Sequence, residues 1–328
     1  MPTVAPLDLE GHILAAAFLG DVPFFAAASG NIHRLDNGHQ VSEAHQGMLT
    51  CIRDPFSQSL LTGGEDGKVL RIGADASVTE LAHVPRKWIP VVAGGPQGAV
   101  AYAHGKSSFV RNADGTTKEI VETRTVEGIA FAPKGLRIAA ARYNGVSLHW
   151  AATPAPAVDL EWKGAHTGVT FSPDGRFVVT TMQENALHGW KLDGKANEPR
   201  HMRMTGYPGK VKSLSWSPKG KWLASSGAPA AIVWPFSAKD GPMGKAPQEL
   251  GTRADIMVTT VSFHPVEEVL AIGFIDGMIL GVRLADGKEA LLRRPGKGGI
   301  TSMGWSPNGK LLAFASDAGD CGIVDISA

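Results

Sequence analysis

The chain has 328 residues, 43% of them hydrophobic and 19% charged, with a formal net charge of +1. That balance suits a folded protein with a full core. It excludes a disordered chain and implies no global pull toward nucleic acid or an anionic membrane. No apolar run is long enough to span a bilayer as a helix.

In chain order, TVAPLDL at Thr3 to Leu9 has the length and character of one strand. Ile13 to Ser29 is apolar and ends in AAAS, but it lacks a basic leading region. No Lys or Arg precedes Arg34, Asp8 and Glu10 come before the run, and Asp21 and Pro23 interrupt it. It therefore reads as two strands, not as a secretory signal. From there one word recurs: strand, tight turn, strand, tight turn, strand. Its clearest copy is VTFSPDGRFVVTTMQENALHGW, Val169 to Trp190. Pro173 and Gly175 supply the dihedrals of the first reversal, and Asn185 tolerates positive φ in the second. The eight copies fall at 13–35, 49–72, 88–110, 128–150, 169–190, 211–234, 261–284 and 300–326, the first being the least regular.

Turn prolines at positions 55, 96, 133, 173, 218, 265 and 307 are spaced by 37 to 47 residues, with a mean of 42. A period of this size built only of strands means radial repetition. No stretch shows the 3.6-residue periodicity of a helix. A short fourth strand is expected between successive words, at 40–44, 77–82, 118–122, 157–162, 200–204, 248–251 and 289–292. The expected fold is therefore one all-β propeller domain over residues 1–328, with eight four-stranded blades and the amino-terminal strand pairing with the last. Seven blades and an irregular start is the alternative. Two longer loops, Ser237 to Pro247 and Asp193 to Pro199, follow third strands.

These words resemble WD-repeat propellers over nearly the whole chain, in degenerate form. The aromatic that commonly closes the third strand is matched by Trp150, Trp190 and Trp234, mostly without the following acid. The Gly-His that precedes the first strand is matched by Gly11-His12 and, with Ala, by Ala44-His45, Ala82-His83 and Ala165-His166. Asp66 and Asp276 match the acid of the second turn, with Asn144 and Asn185 as short polar substitutes. The family's structural hydrogen-bond network is approached most closely by His166, Thr180 or Thr181, Asn185 and Trp190.

Chemistry is sparse. There is no His-Glu-x-x-His, Cys-x-x-Cys, nucleophile elbow or phosphate loop, so no catalytic residue, metal or cofactor is expected. The two cysteines, Cys51 and Cys321, read as small buried hydrophobes and favour a reducing compartment, so a cytoplasmic location is expected. One pattern stands above this background. The loops leading from a fourth strand into the next word carry Arg86, Lys87 and Trp88; Arg124; Tyr207 and Lys210; Arg253; and Arg293, Arg294 and Lys297. Such loops share one end with the second turns, and Arg, Tyr and Trp are enriched at interaction hot spots. The expected function is a non-catalytic protein-interaction scaffold that docks a protein partner, with an acidic segment, on Arg86, Lys87, Trp88, Arg124, Tyr207, Lys210, Arg253 and Lys297. Neither nucleic acid nor membrane is an expected partner. The alternative is a propeller enzyme, or a small-molecule or metal binder, that uses the central channel.

Overall fold

The computed structural model describes residues 3–192 and 200–327. The loop expected at Asp193 to Pro199 lies outside the described residues. β1 (Thr3–Asp8) comes first. β2 (Ile13–Leu19), β3 (Val22–Ala27), β4 (Asn31–Leu35) and β5 (His39–Glu43) make one four-stranded sheet. β6 (Met48–Arg53), β7 (Ser59–Gly64), β8 (Lys68–Gly73) and β9 (Val78–His83) make the next, followed by β10 (Val91–Gly94), β11 (Val100–His104), β12 (Ser107–Arg111) and β13 (Thr117–Val121).

A six-stranded sheet follows, in the order β14 (Val126–Phe131), β15 (Arg137–Trp150), β16 (Val158–Phe171), β17 (Phe177–Met182), β18 (Ala186–Lys191) and β19 (Arg200–Met204). Two more four-stranded sheets hold β20 (Leu214–Trp216), β21 (Trp222–Ser225), β22 (Ala231–Pro235) and β23 (Gln248–Leu250), then β24 (Val258–Phe263), β25 (Val269–Phe274), β26 (Ile279–Arg283) and β27 (Glu289–Arg293). β28 (Ile300–Trp305), β29 (Leu311–Ser316) and β30 (Asp320–Asp325) form the last sheet. Its fourth strand is β1, antiparallel to β30 from Thr3 opposite Val324 to Asp8 opposite Asp320. The amino-terminal strand thus pairs where the repeat pattern places it.

The described residues form seven sheets, which corrects the expectation of eight four-stranded blades. The missing sheet is not the irregular first copy, which makes β2–β5 intact. It is lost at the two words over 128–150 and 169–190, which share the six-stranded sheet. β15 pairs with β14 through residues 138–142 and with β16 through residues 143–148. β16 then continues into its pairing with β17. The chain still doubles back within β15 at Asn144 and Gly145, both at positive φ (67° and 131°). The Ala151 N–H bonds the Leu136 carbonyl at 2.8 Å. Because the ladder is not interrupted at either end of this hairpin, the two words become one sheet.

The strands form because bulky and β-branched residues alternate with turn chemistry. In the first turns a serine closes the reversal. Ser172 Oγ accepts the Phe177 N–H at 3.0 Å, Ser217 Oγ the Trp222 N–H at 3.1 Å, and Ser306 Oγ the Leu311 N–H at 3.0 Å.

The chain divides into two compact units. One comprises residues 1–48, 74–76 and 211–328, the other residues 49–73 and 77–210. In the first, hydroxyls on inner strands stitch neighbouring sheets. Thr301 donates to the Ile13 carbonyl at 2.6 Å and Thr259 to the Ile300 carbonyl at 2.7 Å, while Ser215 Oγ accepts the Phe263 N–H at 2.9 Å. Phe18, Phe25, Phe274 and Phe314 are fully buried there. In the second unit, one apolar cluster holds Ala101, Val110, Ile129, Phe131 and Ile138, and another holds Val146, Leu148, Leu160, Phe171 and Trp190. Burial of such side chains is the main stabilising term, about 1.5–3 kcal/mol for each large one.

Candidate functional site

The loop after a fourth strand folds back onto the second turn of its own sheet. In the second unit the Val84 N–H bonds the Gly67 carbonyl and the Glu122 N–H bonds the Lys106 carbonyl, both at 2.8 Å. In the first unit the Arg253 N–H bonds the Pro229 carbonyl at 2.9 Å and the Gly296 N–H bonds the Asp276 carbonyl at 3.1 Å. Loops and second turns therefore share one end of each sheet, and the side chains singled out in the sequence project there.

Their fates differ. In the second unit Arg86, Lys87, Arg124 and Lys210 are exposed. Among the described residues none of them is held in an ion pair. Trp88 is 63% exposed, an unusual position for an indole. Arg86 takes φ 63°, a left-handed conformation that non-glycine residues seldom hold without reason. Tyr207, expected beside Lys210, is buried at 7% exposure, so its ring is not offered to solvent.

In the first unit Arg253 is half-buried. Its Nη1 donates to both carboxylate oxygens of Asp276, at 3.0 and 2.8 Å, and its guanidinium lies 4.9 Å over the Phe274 ring. Arg293 repeats the device one sheet on. It pairs with Asp320 and the Gly277 carbonyl and stacks 4.6 Å over Phe314. Lys297 is exposed and faces Asp8, its Nζ 3.6 Å from the carboxylate. The two arginines are thus spent on holding turns together, by charge and by cation–π contact.

A buried polar network underlies the exposed loop at Arg124. Glu122 accepts hydrogen bonds from Ser147 Oγ and His149 Nε2, both at 2.6 Å on the same carboxylate oxygen. Arg142 Nε lies 3.3 Å from the other oxygen, close enough for an ion pair though not aligned as a hydrogen bond. Arg142 also donates to Asp159 at 2.5 Å and to the Tyr143 carbonyl at 3.4 Å. Burial disfavours the charged form of Glu122. The hydrogen bonds from His149 and Ser147, with the charges of His149 and Arg142, outweigh it and lower its pKa. One arginine therefore fixes the loop that bears Arg124 relative to the turn that bears Tyr143.

The network implied by the family resemblance is partly assembled. His166 Nδ1 lies 2.7 Å from Thr180 Oγ1, and His166 Nε2 lies 3.0 Å from the Trp162 carbonyl. A carbonyl only accepts, so Nε2 carries the proton and donates to Trp162, while the Thr180 hydroxyl also donates to the His188 carbonyl at 3.1 Å. Trp190 packs its ring 5.6 Å from His166. Asn185 does not join them; its Nδ2 donates to the Pro208 carbonyl at 3.3 Å. Next to this group, His188 stacks 4.0 Å from Trp162 and 5.3 Å from His201. Burial, with His201, His166 and Arg203 nearby, pushes the His188 pKa down to about 3. Burial likewise lowers that of His166.

Two residues at this end escaped sequence reasoning. Tyr143, 48% exposed, stands in a second turn. Trp162 closes the connecting strand expected at 157–162, and the structure sets it inside β16. Neither stands in a loop between a fourth strand and the next word, so the rule that selected Trp88 passes over both. With Asn144, Glu161 and Lys163 they line an open cleft of ≈ 610 Å³. Among the described residues no group of three or more His, Cys, Asp or Glu side chains is arranged to hold a metal ion.

The WD domain, G-beta repeat family model matches residues 199–232 and 290–324. No curated protein matches the chain. The chain is similar in structure to the computationally designed Ika8 protein (TM-score 0.76, 17% identity, 97% of this chain and 98% of that one). It is also similar to the C-terminal WD40 domain of Sif2 (TM-score 0.76, 12% identity, 100% and 98%). A chain of the mitotic checkpoint complex matches at TM-score 0.64 and 14% identity, over 82% and 84%. At these identities the likeness shows the fold. The chain is a β-propeller that carries WD40 repeats.

Proposed function

We propose that the chain is a non-catalytic protein-interaction scaffold. It docks an acidic segment of a protein partner on the loop end of the second unit, through Arg86, Lys87, Trp88 and Arg124. The observation that carries this reading is the exposed Trp88, flanked by unpaired cations on a backbone held at positive φ. An indole and guanidinium groups left in water are the anchors that a partner desolvates with profit. The surrounding charge is mixed, with exposed Glu65 and Glu127 on the same unit, so the cations confer orientation as well as attraction. WD40 propellers commonly serve as scaffolds, and one structural neighbour is a chain of a protein complex, the mitotic checkpoint complex. The likeness of fold supports a scaffold but does not choose the partner. Cys51 and Cys321 are buried free thiols, which fits a reducing compartment such as the cytoplasm.

The test is quantitative affinity purification with the parent chain, a triple reversal (Arg86→Glu, Lys87→Glu, Arg124→Glu) and a control reversal of Lys219 and Lys221 to Glu. The expected result is partners lost from the triple variant and kept by the control. Partners retained by the triple variant would overturn the docking surface.

A further inference from the structure

We propose that the cleft beside Tyr143 seats one apolar side chain of the acidic partner segment, and so sets which acidic segments bind. This deepens the docking reading above and rests on it.

The cleft arises from a local mismatch in the six-stranded sheet. Tyr143 pairs with Ala165, but Gly145 pairs with Glu161, so residues 162–164 bulge opposite the single residue Asn144. A bulge of this kind re-aims side chains at the end of a strand pair. Its walls are held in place before any ligand arrives. The Trp162 ring is backed by the buried His188 ring at 4.0 Å, and Asn144 Oδ1 accepts the Gly164 N–H at 3.4 Å. Preformed clefts of this size suit one or two side chains, and a rigid wall spares the ordering entropy of binding.

The chemistry of the lining selects the occupant. Tyr143 and Trp162 supply aromatic surface, and Tyr143 is half in water. Lys163 is an exposed cation of the lining and favours a carboxylate beside the anchor. Glu161 is the one carboxylate of the lining and repels an acid inside, so the anchor is apolar and its acidic flank runs outward. The cation assigned to that flank is Arg124. Arg142 joins Glu122, two residues before Arg124, to the Tyr143 carbonyl, so cation and cleft are held in one frame.

The experiment uses the full chain and labelled twelve-residue peptides of Asp, Glu, Gly and Ser, whose one central residue is Leu, Trp or Ala, read by fluorescence anisotropy at low salt. The Leu or Trp peptide is expected to bind tenfold to a hundredfold more tightly than the Ala peptide, the value of burying one such side chain. Tyr143→Ala should erase that preference and leave binding of the Ala peptide unchanged. Arg124→Glu should weaken all three peptides alike. Tyr143 is an exposed turn residue, and a circular dichroism spectrum matching the parent's verifies that the variant folds. Equal binding whatever the central residue, or a preference that survives Tyr143→Ala, would overturn the cleft proposal and leave the docking reading standing. Failure of every acidic peptide to bind would remove the docking reading, and this proposal with it.

Discussion

The same kind of side chain does opposite work in the two units. In the first, Arg253 and Arg293 are drawn onto Asp276 and Asp320 and laid over Phe274 and Phe314. In the second, Arg86, Lys87 and Arg124 leave the chain at equivalent loops and stay in water. The difference lies one repeat downstream. The second turn facing Arg253 contains Asp276, and the turn facing Arg293 leads into Asp320. The turn after the Arg86 loop reads His104-Gly105-Lys106, and the turn after Arg124 reads Tyr143-Asn144. A loop cation becomes a staple where the next turn offers an acid, and remains available for recognition where it does not. In the second unit the arginine that does act as a staple, Arg142, lies underneath, on Glu122 and Asp159.

This contrast can be broken at several points. The largest effect is expected from Arg142→Met. It strips the cation from a nearly buried carboxylate, and removing one partner of a buried pair costs about 3–5 kcal/mol. The loss should appear as a lower urea midpoint. Arg124→Ala, an exposed neighbour, should stay within about 0.5 kcal/mol of the parent.

Next comes pH. His188 and His166 titrate in the folded chain below their ordinary range, so between pH 6.5 and about 3 the unfolded chain binds more protons. Their contribution to stability is complete above pH 6.5 and is lost as the pH falls. For His188 the slope approaches about 1.4 kcal/mol per pH unit. Unfolding curves at pH 7 and pH 5 should differ in this direction, and His188→Phe should flatten the dependence. Stability that does not fall on acidification of the parent would refute the buried neutral histidine.

A smaller effect is expected from Arg293→Ala. It removes a half-buried ion pair and a cation–π contact, together about 1–2 kcal/mol, and should lower the melting temperature by a few degrees. The smallest effect on stability, within about 0.5 kcal/mol, is expected from Lys106→Asp. It gives the second unit the downstream acid that it lacks. If the comparison is right, this variant draws in Arg86 or Lys87 and weakens partner binding while leaving the fold unchanged, as a binding isotherm beside a melting curve would show.

Much of the architecture was legible because its signals are local. Turn prolines and glycines fix reversals, and six of the seven short connecting strands lie within a residue of their expected places, as Arg200–Met204 does at both ends, while the one expected at 157–162 is absorbed into the longer β16. The merged sheet was not legible. It depends on whether hydrogen bonding continues past Asn144 and across the 162–164 bulge, and no residue type announces that. The candidate surface was half legible. Sequence places Arg253 and Arg86 alike, because it shows each loop but not the turn packed against it. Adding the downstream turn to the reading separates them and brings in Tyr143, which stands in the turn after Arg124.

The most direct test is hydrogen exchange on the full chain with and without a saturating amount of the acidic peptide with central Leu. The account predicts new protection at residues 84–88, 122–125 and 143–144 of the second unit, with the loop at 251–257 unchanged. Protection confined to 251–257 and 293–298, with the second unit's loops exchanging as before, would contradict it.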